Sequence, residues 1–113
     1  MKKFLLLSLV FVFLAGAQSF GQVKKGTVNA VIQTPTVQCE QCKKRIEDDL
    51  KRVDGILKVQ VDFKKKVTKV SFVTDRTNIE YIKTAIANVG YDADDVAANP
   101  EAYKRLPKSC QKQ

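Results

Sequence analysis

Histidine is absent from this sequence, and its single methionine is Met1. Any metal site in the mature chain must therefore be built from thiolates, carboxylates or carbonyls rather than imidazole or thioether. Cysteine is scarce as well, confined to Cys39, Cys42 and Cys110. An odd number allows at most one intramolecular disulfide, which argues against a disulfide-stapled scaffold and leaves the core to packing. The long apolar run, Phe4 to Ala15 with Ser8 inside it, is too short to span a bilayer comfortably. No cysteine stands at its end, so a lipid-modified form is not indicated. Internal repeats, low-complexity segments and linkers are also missing.

What is present at the start has the layout of a cleaved secretory signal peptide over residues 1–17. Met1-Lys2-Lys3 is basic, the apolar run follows, and Ala15-Gly16-Ala17 is a small-x-small site before Gln18. The expected location is periplasmic or secreted. Removing residues 1–17 from the 113 leaves 96, enough for one small domain. Losing Lys2 and Lys3 lowers the formal charge from +8 to +6. A basic domain invites a nucleic-acid partner, but export argues against one. The lysines are also scattered, with Lys43-Lys44-Arg45 and Lys64-Lys65-Lys66 the clusters.

Periodicity gives the order of elements. Gly26 to Gln33 alternates, with Val28, Ala30 and Ile32 on one face, and Pro35 stops it. Ile46, Leu50 and Val53 then recur at helical spacing from about Glu40, and Asp54-Gly55 ends the helix. Leu57, Val59, Val61 and Phe63 alternate with polar residues, as do Thr68, Val70 and Phe72, so an antiparallel hairpin turns at Lys64-Lys65. Thr77 to Glu80 has the form of a capping box, Ile79 to Val89 supplies a second helix stripe, and Gly90 closes it. Tyr91 to Val96 is expected to be a short last strand. Asn99 to Leu106 is expected to add a helical turn, with Pro100 at its start and Pro107 stopping it. Strand, helix, strand, strand, helix, strand predicts an α+β, ferredoxin-like βαββαβ two-layer sandwich, a four-stranded antiparallel sheet with two helices on one face.

The chemistry lies in Cys39-Glu40-Gln41-Cys42, where the first strand gives way to the first helix. Unpaired N–H groups and the positive end of the helix dipole favour thiolate there, and Lys43, Lys44 and Arg45 add positive charge. At least one thiol is expected to ionise below the free value of about 8.5. Sulfur ligands without imidazole select Cu(I), Hg(II), Zn(II) or Cd(II) over Mg or Ca. A structural zinc site needs four ligands and the mature chain offers three thiols, so a two-coordinate site open to a third sulfur suits transfer.

With these elements in this order, the chain resembles the heavy-metal-associated domain family of copper chaperones, metal-pumping ATPase domains and exported mercury-binding proteins. The resemblance rests on the Cys39/Cys42 loop, the Val53-Asp54-Gly55-Ile56 turn, Val59-x-Val61-Asp62-Phe63 and Gly90-Tyr91-Asp92-Ala93. It implies a domain over residues 26–97 and a C-terminal extension over 98–113 carrying Cys110. It further implies one Cu(I) or Hg(II), with Zn(II) or Cd(II) also compatible, held by Cys39 and Cys42 as metal ligands and passed on by ligand exchange. The implied recipient is a membrane metal transporter or another C-x-x-C domain, and the expected state is a monomer, with a metal-bridged dimer as the alternative. No catalysis is implied. The family usually has Gly-Met-Thr before the first cysteine, where this chain has Thr36-Val37-Gln38, with Val37 in the methionine's slot. Tyr91 matches a position that the family places beside the metal loop, although by itself it reads as a packing residue. Cys110 admits two readings, a third ligand carried back by the tail or a free thiol in a frayed terminus, and the second is the expectation.

Two other classes stay open. A C-x-x-C pair at a helix N-terminus suits thiol–disulfide exchange, though Gln38 in place of an aromatic and the positions of Pro35, Pro100 and Pro107 argue against a thioredoxin-like arrangement. The dithiol of a small exported interaction domain would be incidental.

Overall fold

The computed structural model describes residues 26–112, so the proposed signal peptide lies outside the described residues. Strand β1 (Thr27–Gln33) leads through a six-residue loop to helix α1 (Glu40–Leu50), then the hairpin β2 (Ile56–Asp62) and β3 (Val67–Val73). Helix α2 (Ile79–Val89), the short helix α3 (Pro100–Lys104) and a 3-10 turn at Lys108–Cys110 follow. The sheet order is β1-β3-β2, with both pairings antiparallel.

The register explains the core. Ala30, Val70 and Val59 lie opposite one another, as do Ile32, Thr68 and Val61, so one face gathers the apolar residues. Ile46 and Leu50 of α1 and Ile82 and Ile86 of α2 cover that face and are fully buried. Covering it removes apolar side chains from water at roughly 1.5–3 kcal/mol each. The outer edge of β2 is satisfied by α1, because Glu47 accepts from the Val61 N–H (2.9 Å) while Lys43 donates to the Val61 carbonyl (3.0 Å). That leaves less exposed edge for unwanted pairing.

Three expectations are corrected. The sheet has three strands among the described residues, since Tyr91 to Val96 does not form a fourth. Ala93 and Val96 instead bond each other, at 2.9 Å in both directions, around Asp94 at φ 50°. The Asp92 N–H goes to Thr36 Oγ1 (3.1 Å), so only the Asp94 N–H reaches the β1 backbone, at the Gln33 carbonyl (2.8 Å). The Asp94 carboxylate takes the reciprocal bond from the Gln33 N–H (2.7 Å). Lys83 draws in Asp94 (3.7 Å) and Asp95 (3.1 Å), which favours the turn over an extended strand.

The second correction concerns Leu57, which is 59 % exposed rather than facing the core. A register irregularity between Ile56 and Lys58 breaks the alternation, so Ile56 pairs with Phe72 and packs on the core in its place. The third is the start of α2. Asn78, not Thr77, is the N-cap, its Oδ1 accepting from the Tyr81 N–H (2.8 Å), while the buried Thr77 hydroxyl has no hydrogen-bond partner. Gly90 does close α2, at φ 118°.

Candidate metal centre

The loop from Thr34 to Cys39 is held from several sides. The Thr34 and Thr68 hydroxyls share a buried hydrogen bond (3.0 Å), and the Thr34 N–H reaches the Lys66 carbonyl (2.9 Å). Lys66 returns its ammonium to the Val37 carbonyl (2.7 Å). Val37 is fully buried in the core, so it does fill an apolar slot beneath the loop.

Cys39 is the N-cap of α1, with extended backbone and no side-chain capping bond. Cys42 lies one turn in. It heads the stripe Cys42, Ile46, Leu50, which is the buried face of the helix. The two thiols therefore differ sharply, because Cys39 is partly exposed and Cys42 is fully buried. Their sulfurs are 3.6 Å apart.

Cys110 joins them. Its sulfur is 2.8 Å from that of Cys42, and the three sulfurs lie within 4.8 Å of one another. The expected frayed terminus is thus overturned, since Cys110 is unbridged but only 1 % exposed. The tail returns because α3 is capped by Asn99, whose Oδ1 accepts from the Glu101 and Ala102 N–H groups (2.9 and 3.0 Å), and Leu106 is buried against Gly90. Gln38 Nε2 then donates to the Gln111 carbonyl (2.9 Å), and Ser109 Oγ bonds Gln41 Oε1 (2.9 Å), tying the tail to both sides of the cysteine loop.

Burial alone would push the Cys42 thiol up. The Cys110 thiol, the Gln38 backbone, the nearby Tyr91 hydroxyl and the Cys39 backbone outweigh that and bring it from 9.0 down to about 7. Burial and the adjacent Cys42 push Cys110 up to about 11. With both thiols protonated the contact angles have Cys42 donating to Cys110. Once one proton is lost, the charge belongs on Cys42, which has more groups around it that stabilise an anion. The basic cluster plays little part in this. Lys43 is engaged by Glu47 (2.8 Å) and the Val61 carbonyl, while Lys44 and Arg45 are exposed.

Tyr91 is fully buried beside this cluster, and burial holds its phenol neutral far above the ordinary range. Its hydroxyl lies near the Cys42 and Cys110 sulfurs without an aligned hydrogen bond to either. Sequence reasoning brought Cys39, Cys42 and Tyr91 to this edge. It weighed Cys110 as a third ligand but expected a frayed terminus, because the separation of 68 residues from Cys42 offered no local signal.

Residues 31–92, more than half of the chain, match the model of the heavy-metal-associated domain. The chain belongs to that family. A heavy-metal-associated relative, the copper chaperone CopZ of Staphylococcus haemolyticus (strain JCSC1435), is 31 % identical over 65 residues, 58 % of this chain and 96 % of that protein. The periplasmic component of the mercuric transport protein of Shewanella putrefaciens is 33 % identical over 60 residues, 53 % of this chain and 66 % of its own length. The crystal structure of oxidized MerP from Ralstonia metallidurans CH34 superposes with a TM-score of 0.58 at 25 % identity, covering 60 % of this chain and 94 % of that one. The first two of these relatives are named for metal chaperoning and metal transport, and neither is named as an enzyme. The three-thiol cluster is a soft-metal donor set. Among the described residues no helix is long and apolar enough to cross a membrane.

Proposed function

We propose that this protein is an exported carrier of one soft metal ion, Cu(I) or Hg(II), held between Cys39 and Cys42 and passed to a partner by thiolate exchange. The observation that carries this reading is the inequality of the two sulfurs, one buried and easily ionised, the other partly exposed at the helix start. Cys42 anchors the ion. Cys39 is where an incoming thiolate gains access, so a partner sulfur–metal bond forms as the Cys39–metal bond breaks, and the Cys39 thiolate then takes a proton from water. A second exchange at Cys42 completes the transfer. Soft ions make and break such bonds without redox change.

The signal-like residues 1–17 and the mercuric transport relative, described as a periplasmic component, support export. The fitting recipient is a membrane metal transporter or another C-x-x-C domain, with Lys44 and Arg45 exposed at the same edge to meet an acidic partner.

The test is anaerobic titration of the reduced mature protein with Cu(I), and separately with Hg(II), against a chromophoric competitor. One tightly held ion in the native chain, lost in both Cys39→Ser and Cys42→Ser, is the expected result. Failure of the native chain to retain either ion would overturn the carrier reading.

A further inference from the structure

We propose that the C-terminal extension supplies a third metal ligand, making Cys39, Cys42 and Cys110 a trigonal three-sulfur site for a soft monovalent or divalent ion. The proposal rests on the carrier reading and deepens it. A C-x-x-C loop alone offers two sulfurs, and the third comes from 68 residues beyond Cys42.

Sulfur spacing favours the trigonal arrangement. With metal–sulfur bonds of about 2.3 Å, a linear two-sulfur site needs its sulfurs about 4.6 Å apart and a trigonal planar site about 4.0 Å. Cys39 and Cys42 stand 3.6 Å apart, closer to the trigonal value, and all three sulfurs fall within 4.8 Å. To admit the ion at that bond length the 2.8 Å Cys42–Cys110 pair must open by about 1.2 Å and the 3.6 Å Cys39–Cys42 pair by about 0.4 Å.

The position of Cys110 is built rather than incidental. The buried Leu106 against Gly90, the Gln38–Gln111 bond and the Ser109–Gln41 bond fix the 3-10 turn on which it sits. The Tyr91 hydroxyl is an independent sign of a ligand site. It is fully buried, has no hydrogen-bond partner and lies beside the Cys42 and Cys110 sulfurs. A buried hydroxyl left in that state is costly. A metal thiolate carries negative charge on sulfur that such a hydroxyl can donate to. The tail also covers the inner side of the site and leaves Cys39 as the accessible sulfur. Binding is then written as one ion plus three thiols giving one three-thiolate complex and three protons to solvent. Release begins at Cys39 and requires Cys110 to let go as well, so the extension slows the loss of cargo until a competing thiolate arrives.

The deciding measurement is the sulfur coordination number of Cu(I) in the reduced, full mature chain, from X-ray absorption at the copper edge, repeated in Cys110→Ser and Cys110→Ala. Three sulfurs in the native chain, two in both variants, and an affinity lower by roughly tenfold or more in the variants is the expected result. Two sulfurs in the native chain, with unchanged affinity in the variants, would overturn the third ligand and leave the two-cysteine carrier standing. No retained copper in the native chain would overturn both together. The native chain's own coordination number decides the matter even if a variant folds poorly.

Discussion

Cys42 Sγ lies 2.8 Å from Cys110 Sγ, and the two thiols are shifted in opposite directions, Cys42 down to about 7 and Cys110 up to about 11. This has a consequence for stability in the reduced, metal-free protein. Between pH 7 and 9 the folded Cys42 has lost its proton while the unfolded one keeps it, so stability rises with pH. Between pH 9 and 11 the folded Cys110 keeps its proton while the unfolded one loses it, so stability falls. Each thiol contributes a slope of at most about 1.4 kcal/mol per pH unit, the one-proton limit. Urea midpoints measured anaerobically across this range should peak near pH 9, and Cys110→Ser should flatten the fall between pH 9 and 10, leaving above that the fall due to the buried Tyr91 phenol. A midpoint that does not change with pH would refute the opposed shifts.

Tyr91→Phe removes a buried hydroxyl that has no partner. The metal-free variant should melt within about 1 kcal/mol of the native chain or above it. If the hydroxyl donates to metal-bound sulfur, the same variant should hold Cu(I) less tightly in competitor titration. A large loss of metal-free stability would mean that the hydroxyl is satisfied after all.

Gly90→Ala tests how the tail is seated. The residue sits at φ 118°, and a Cβ there would stand 3.0 Å from the Leu106 side chain. The expected cost is about 1–3 kcal/mol. Displacing Leu106 should also expose Cys110 to alkylation, so mass spectrometry after brief iodoacetamide treatment should show faster labelling at that residue. Unchanged labelling would uncouple Leu106 from the position of the thiol.

The two candidates for the α2 cap give opposite expectations. Asn78→Ala removes the Oδ1 acceptor of the Tyr81 N–H and should cost about 1 kcal/mol. Thr77→Val replaces an unpartnered buried hydroxyl by a methyl group and should be neutral or stabilising. Thermal melts of the two variants side by side check this, and a larger loss in Thr77→Val would restore the capping box.

Much of the framework was legible because it is local. Alternation marked β1 and β3, helical spacing marked Ile46 and Leu50, and Gly90 marked a chain reversal. Leu57 misled because period-two counting assumes an unbroken strand, and one irregularity at Ile56/Lys58 inverts everything before it. Tyr91 to Val96 misled because buried residues at 91 and 93 suit a strand or a turn equally well. The ion pairs of Lys83 with Asp94 and Asp95 come from a different element.

The sequence by itself determined the pair Cys39 and Cys42 at a helix start, because three-residue spacing across a strand-to-helix junction brings two thiols to one place wherever the rest folds. Family membership was legible in the same stretch and in the segments that follow it. Only the tertiary structure decided that Cys42 is the buried sulfur, that Tyr91 stands beside it, and that Cys110 completes the cluster. Those facts depend on how α1 lies on the sheet and on Leu106 meeting Gly90, contacts between residues far apart in the chain that no local periodicity encodes.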